Sequence, residues 1–207
     1  MKKFLQRLGF AQSESAKHSV PLVEALEKRL CLSTTTPGTT GIALADLNGD
    51  SNKDLISTRF GRTGGLNVRF GDGNGNFGAP VFPFGHGFAR GATVDIGDFN
   101  KDNHIDVVVY GGGPTGNGAL YVLLNNGNGT LAAPVRIGGD AFAGVASGSL
   151  DDVRLSVGDI NNDTDVDILV SNPTLAYRRA THKFSGSDVF VLFGNGNGTF
   201  AAGSPVS

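Results

Sequence analysis

One nine-residue acidic pattern, D-x-N-x-D-x-x-x-D, occurs three times in this chain and sets its architecture. The copies begin at residues 46, 98 and 159, so they stand 52 and 61 residues apart. Each copy occupies the same place in a longer unit that starts near residue 41. A period of this length indicates one structural unit repeated along the chain, and not a single irregular domain.

Each unit contains four short apolar segments that are typical of β-strands. One segment precedes the acidic loop, one follows it, and a third comes after a polar connection. A short segment led by Pro80 or Pro134 ends the unit, after a glycine-rich turn at 71–77 or 125–131, and the third such turn is at 194–200. Four strands with their turns describe a β-propeller blade. We therefore predict an all-β chain, a partial β-propeller of three four-stranded antiparallel blades, at residues 41–92, 93–152 and 153–207.

Three blades are fewer than the roughly 4–8 that close a propeller. Either further blades follow in a longer parent chain, or other copies of the chain supply them. We expect a longer parent chain, because the third unit ends where another blade would begin.

The first forty residues differ from the repeats and form an N-terminal segment and linker. Residues 1–18 are polar and predicted to be disordered, residues 19–32 show the apolar spacing of a short helix, and residues 33–40 read as a linker. No stretch reaches the ~18–20 apolar residues of a membrane span. The single Cys31 excludes an internal disulfide and a cysteine-based zinc site.

The acidic loops have the donor pattern of a calcium site. Asp, Asn, Asp and Asp occupy positions 1, 3, 5 and 9 of every loop, and position 7 is expected to give its backbone carbonyl. Such alternating oxygen ligands suit Ca²⁺ better than Mg²⁺, which keeps its waters. We predict up to three structural Ca²⁺ ions, held by Asp46, Asn48, Asp50, Asn52 and Asp54, by Asp98, Asn100, Asp102, His104 and Asp106, and by Asp159, Asn161, Asp163, Asp165 and Asp167.

A second interpretation of the loops is that Asp and Asn merely favour turns. All sixteen acidic residues after residue 40 are Asp, and ten of them lie in the three loops. Both ligation and Asx turns explain this preference for the short acid. An EF-hand is excluded, because position 12 is Ser57, Val109 or Val170 and the flanking segments are strand-like. Position 6 normally requires a positive φ, yet it is Ser51, Asn103 or Thr164, so we expect loop 3 to bind most weakly.

The repeats resemble the FG-GAP/VCBS-type repeats of integrin-like β-propellers over residues 41–207. Phe70-Gly71 followed by Gly78-Ala79-Pro80 matches the motif for which the family is named, and Leu131-Ala132-Ala133-Pro134 is a variant of it. The resemblance implies Ca²⁺ between the first two strands of each blade, in surface proteins that often serve adhesion. Residues 26–33 also resemble the LEPR-XLL motif of planctomycete-type bacterial surface proteins, with Lys28 in place of the motif's Pro. This second resemblance implies export; the alternative is an ordinary amphipathic helix.

No catalytic constellation is found in the sequence. The remaining candidates are His86 near Arg90, the basic stretch 178–183, and the carboxylates Asp140, Asp151, Asp152 and Asp188. Solvated loops explain His86 and the basic stretch better than a ligand site does, and nothing in the sequence places the carboxylates near one another. Residues 41–207 carry a net charge of −5, which argues against a nucleic-acid partner. We predict a non-catalytic segment of a secreted or cell-surface bacterial protein that binds a protein or glycan. The alternative is part of a propeller-type polysaccharide hydrolase or lyase whose catalytic residues lie outside this chain.

Overall fold

The structure is a computed structural model that describes residues 39–59, 65–83, 91–111, 119–138, 153–171 and 189–201, and the pairs 177–178, 183–184 and 204–205. The chain divides into two compact regions, Met1–Thr35 and Thr36–Ser207, and every described residue belongs to the second. The helix predicted at residues 19–32, the polar tail and the LEPR-XLL-like segment lie outside the described residues, and they stay predictions.

Three antiparallel sheets follow one another along the chain, one for each predicted repeat. Unit 1 contains β1 (Thr39–Ala45), β2 (Asp54–Arg59) and β3 (Gly65–Arg69). Unit 2 contains β4 (Gly91–Gly97), β5 (Asp106–Gly111), β6 (Ala119–Leu123) and β7 (Val135–Ile137). Unit 3 begins with β8 (Arg154–Gly158) and β9 (Asp167–Ser171). After a separate pair, β10 (Tyr177–Arg178) with β11 (Lys183–Phe184), it ends with β12 (Val189–Leu192) and β13 (Ser204–Pro205).

The prediction of an all-β, antiparallel chain is confirmed for the described residues. Within each of the three sheets, the strands pair in the order in which they occur along the chain. Two features differ from the prediction of four strands in every unit. The first is the additional β10–β11 pair in unit 3. The second is the fourth segment of unit 1, which is reduced to a single bridge between Val68 and Val81. Its flanking residues Pro80 and Pro83 lie close to this bridge, and proline has no amide hydrogen with which to extend a ladder.

The three sheets pack against one another through two apolar clusters. The central strand β5 is buried along its whole length, because alternate side chains face the sheets on either side. Val107 and Val109 join a cluster with unit 1, while Val108 and Tyr110 join a cluster with unit 3. The core therefore lies between the sheets, and each interface needs both of its sheets. Within the described part of the chain, no helix is long and apolar enough to cross a bilayer.

Candidate metal-binding loops

The structure places all fifteen predicted ligands in equivalent positions. Each loop connects the first and second strands of its unit, between β1 and β2, β4 and β5, or β8 and β9. The position-9 residues Asp54, Asp106 and Asp167 are the first residues of the second strands. The remaining ligands lie along the irregular part of each loop, where most side chains are exposed or half-buried.

The position-1 carboxylate is held by amides of its own loop. In loop 1 the amides of Gly49, Asp50 and Ser51 donate to Asp46 at 2.7, 3.2 and 2.7 Å. The same bonds from positions 5 and 6 recur to Asp98 and to Asp159. Consecutive amides that converge in this way form a concave nest for a negatively charged group. The loop backbone is therefore already shaped around a carboxylate.

This amide nest requires left-handed backbone at two positions of every loop. Position 6 has φ of 67° at Ser51, 66° at Asn103 and 72° at Thr164, as the sequence analysis expected from the pattern. Position 4 is also left-handed, which was not predicted: Gly49 and Asn162 adopt this conformation readily, and Lys101 adopts it too, with φ 60°. A β-branched residue is the least tolerant of this conformation, so the backbone strain is largest at Thr164.

Positions 3 and 5 form a second layer of hydrogen bonds. In loop 1 the amide group of Asn48 donates to Asp50 Oδ2 (3.0 Å), and the backbone amide of Asn52 donates to Asp50 Oδ1 (2.8 Å). Loops 2 and 3 repeat both bonds. The bond from the position-7 amide, followed by that from the asparagine side chain, lowers the pKa of Asp50 and of Asp163. These carboxyl groups therefore stay ionised at neutral pH.

The position-9 carboxylate connects the loop to the glycine-rich turn of the same unit. Asp106 accepts a hydrogen bond from the Phe99 amide at one oxygen (2.9 Å) and from the Asn125 amide at the other (2.8 Å). Asp54 makes the same two bonds to Leu47 and Gly71, and Asp167 makes them to Ile160 and Gly194. All three side chains are fully buried. We call this arrangement the carboxylate clamp.

Burial of the clamp carries an electrostatic cost. Removal from water raises the pKa of Asp106 to about 6, although the amides of Asn125 and Phe99 oppose the change. The two amide bonds are therefore needed to keep the charged form in place. Position 9 was predicted to serve metal binding alone, so its structural role is a new finding. The signal was present, because a carboxylate directly before a buried strand must find buried partners.

Position 7 also differs from expectation, because its side chain has a structural contact. Asn52, His104 and Asp165 each lie against the first left-handed glycine of the following turn, Gly73, Gly127 or Gly196, leaving no room for a Cβ atom there. In unit 3 this side chain is an acid, and it forms an ion pair with Lys101 from the loop of unit 2. Lys101 also donates to Thr164 Oγ1 (3.1 Å). Asp165 is thus paired with a lysine of the neighbouring unit.

The positive charge of Lys101 lies among the carboxylates of loop 3. The hydrogen bond with Asp165 raises the pKa of Lys101, and the charges of Asp163 and Asp159 act in the same direction. Loops 1 and 2 have no ion pair of this kind among the described residues. Lys101 of the neighbouring loop therefore offsets part of the negative charge of loop 3 without a metal ion.

The loop oxygens fit a hard divalent cation in their chemistry. A carboxylate offers about four lone-pair sites, of which Asp98 uses two and Asp102 uses two in the hydrogen bonds described above. Asn100 Oδ1 accepts one bond, from the Asp102 amide (3.2 Å). Oxygen lone pairs that could bind a metal ion therefore remain at positions 1, 3 and 5. Within the described residues, however, no three acidic, histidine or cysteine side chains are gathered closely enough to form a ready metal cluster.

The other candidate residues stay predictions. His86, Arg90, Asp140, Asp151, Asp152 and Asp188 lie outside the described residues. Of the basic stretch 178–183, only the backbone of Arg178 and Lys183 is described, in the β10–β11 pair.

Comparisons with known proteins agree with this architecture. Residues 46–109 match the FG-GAP-like repeat family, a range that includes the first two acidic loops. None of the curated proteins compared with the sequence matches it. A solved structure of an Agrocybe aegerita lectin, described by its recognition of non-reducing terminal N-acetylglucosamine, is similar with a TM-score of 0.52 and 21% identity. The similarity covers 80% of this chain and 38% of that one, so this chain spans well under half the length of the lectin. Residues 46–109 are thus similar to the FG-GAP-like repeat, and the chain is similar in fold to this lectin structure.

Proposed function

We propose that this chain is a calcium-binding segment of a partial β-propeller, in which each of the three units is one blade. The observation that carries the proposal is the threefold recurrence of one loop geometry. In each loop, side-chain oxygens lie at positions 1, 3 and 5, and a buried carboxylate clamp lies at position 9. Turn formation alone needs neither the same oxygen-bearing side chains in every loop nor three carboxyl groups crowded within nine residues.

Calcium would act structurally in this proposal. Asp46, Asn48 and Asp50, with their counterparts Asp98, Asn100 and Asp102 and Asp159, Asn161 and Asp163, would supply side-chain oxygens, and position 7 would supply its carbonyl. The position-9 carboxylates, each of which already accepts two backbone amides, would supply their remaining lone pairs. An ion at each loop would offset the repulsion among the loop's acids and so favour the folded state.

Loop 3 should be the weakest of the three calcium sites, for two reasons. Thr164 bears the largest backbone strain, and the ammonium group of Lys101 lies beside the loop's carboxylates. A cation already near the site repels an incoming one and competes for Asp165.

Titration calorimetry of the metal-free chain with Ca²⁺ tests this proposal. We expect Asp50→Asn and Asp102→Asn each to remove about one equivalent of bound Ca²⁺ at micromolar to millimolar concentrations. Among the three loop variants, Asp163→Asn should remove the least heat. Asp72→Asn is the matched control, because Asp72 is an exposed aspartate with similar hydrogen bonds in a glycine-rich turn. Equal effects of all four substitutions would contradict a site in the loops.

We further propose that the whole protein is exported to the cell surface, where it binds a glycan or a protein without catalysis. The lectin similarity supports a glycan as the first ligand class to test, and the export motif suggested by residues 26–33 supports the location. A panel of glycans, assayed both for retention of the chain and for release of smaller products, tests the non-catalytic proposal. We expect retention without turnover; product release by this chain alone would overturn that proposal.

A further inference from the structure

The connection between the second and third strands of unit 3 differs from its counterparts. It spans residues 172–188, whereas the equivalent connections are residues 60–64 in unit 1 and 112–118 in unit 2. The sequence favoured a solvated loop for its basic stretch, but the structure has the β10–β11 pair there, as a two-stranded sheet of its own. The sheet of unit 3 is complete without this pair, so the insertion is free to serve another purpose.

The charge of this connection is opposite to that of the surrounding repeats. Residues 172–188 contain three Lys or Arg residues and a single acid, Asp188, at the last position. The rest of residues 41–207 carries eight Lys or Arg residues against fifteen Asp, a net charge of −7. The connection follows Ser171, the last residue of β9, whereas Asp167 of the acidic loop is its first. The basic connection and the acidic loop therefore leave opposite ends of the same strand.

The register of the β10–β11 pair places two cationic residues directly opposite each other. Arg178 pairs with Lys183, and Tyr177 pairs with Phe184. Because successive residues of a strand alternate between faces, the cationic residues share one face and the aromatic residues share the other. An aromatic cross-strand pair is favourable, but like charges directly opposite each other are destabilising. A lone two-stranded pair is only marginally stable in water, and an anionic ligand would turn this repulsion into an attraction.

We infer that the β10–β11 pair binds an acidic polysaccharide, one that carries sulfate or carboxylate groups, through Arg178 and Lys183. Opposite residues of an antiparallel pair have Cβ atoms about 4.5–5.5 Å apart, a spacing that lets two cationic residues share one such group. The planar guanidinium group of arginine matches two oxygens of an oxyanion, and lysine adds a point charge. This inference rests on the proposed glycan-binding function, and it names the class of glycan and the site.

A nucleic acid is the less favoured polyanion for this chain. A DNA duplex carries one negative charge per about 1.7 Å of its axis. The net charge of −7 on the rest of residues 41–207 repels so dense an array of phosphates. A polysaccharide with more widely spaced charges meets less of this repulsion and still satisfies the two cationic residues.

Calorimetry of the full chain with soluble polysaccharides, in Ca²⁺ buffer, tests the inference. Dextran sulfate, polygalacturonate and uncharged dextran distinguish sulfate groups, carboxylate groups and a neutral sugar backbone. We expect the chain to bind at least one of the two charged polymers, and more weakly as salt is added. We expect no binding of dextran.

Arg178→Glu separates a binding role from a structural one. The substitution places an acid opposite Lys183, so the strand pair gains an attraction while the anion site is lost. We expect the Kd for the charged polymer to rise at least about tenfold, as the loss of a charge-assisted contact predicts, with no loss of stability in urea. Arg136→Glu is the matched control, because it makes the same change of charge at an exposed position of β7. It should change the Kd by less than about twofold, since it acts only through screened charges.

Four results would overturn the inference. Equal changes of Kd in the two variants would mean that the site has no special role. A loss of stability in Arg178→Glu would assign Arg178 to the fold, and tighter binding of a DNA duplex than of either charged polymer would assign the surface to nucleic acid. Retention of neutral glycans alone would remove this inference and leave the proposed function standing. A chain that retains no glycan, charged or neutral, would contradict the proposed function as well.

Discussion

Asp106→Ala should lower the free energy of unfolding by about 2–4 kcal/mol in a chelating buffer, where no divalent ion contributes. The substitution leaves the buried amides of Phe99 and Asn125 without acceptors, and each such amide costs about 1–3 kcal/mol. The release of a carboxylate whose burial is itself unfavourable offsets part of this loss.

Urea unfolding of the variants in chelator gives the measurement. Asp102→Ala is the matched control, because it removes a carboxylate from the same loop but leaves only amides that water can reach. We expect a loss below about 1 kcal/mol for that control. If Asp106→Ala is as mild as Asp102→Ala, the clamp has no structural role and position 9 serves metal binding alone.

The clamp also changes which residues report on calcium. A position-9 alanine would weaken the fold with or without metal, so its effect on stability cannot be assigned to an ion. The exposed position-5 aspartates are the better probes, because their bonds lie within one loop.

The second large effect concerns position 2 of the loops. Phe99→Ala should cost about 3–5 kcal/mol, because it removes a buried ring from the interface between units 2 and 3 and leaves a cavity against Phe200. Ile160→Ala, the same position in unit 3, should cost less than about 1 kcal/mol, because that side chain is 45% exposed.

Chemical unfolding at low protein concentration compares the two variants. The difference between Phe99 and Ile160 follows from the neighbour each has within one chain, and not from the residue type. Equal costs would contradict this account, because they would mean that Ile160 is packed as tightly as Phe99.

Much of the fold was predictable from the sequence because the pattern repeats. Alternating apolar residues before Asp98 and an unbroken apolar run after Asp106 predicted β4 and β5, and the structure has both strands there. The weak fourth strand of unit 1 and the β10–β11 pair were not predictable in the same way. Short segments depend on their neighbours more than on their own composition.

The candidate site was predictable in its residues but not in its internal roles. Spacing identified positions 1, 3, 5 and 9 as one loop, and it identified the left-handed requirement at Ser51 and Thr164. Spacing could not separate Asp106, which bonds to a turn nineteen residues away, from Asp102, which bonds within its loop. The Lys101–Asp165 ion pair was also beyond reach, because it joins residues of two different units. Contacts between repeats follow from how the sheets pack, and a local pattern carries no information about packing.

The thermal unfolding of the wild-type chain in saturating Ca²⁺ and in excess chelator tests the central claim most directly. Ligand that binds only the folded state adds about 2.7 kcal/mol at a hundred times its Kd, and each kcal/mol moves the Tm of a domain this size by about 2–4 °C. We predict a Tm at least about 5 °C higher in Ca²⁺ than in chelator. Coincident unfolding curves in the two buffers would show that the acidic loops are turns held by their own amides, with no calcium sites.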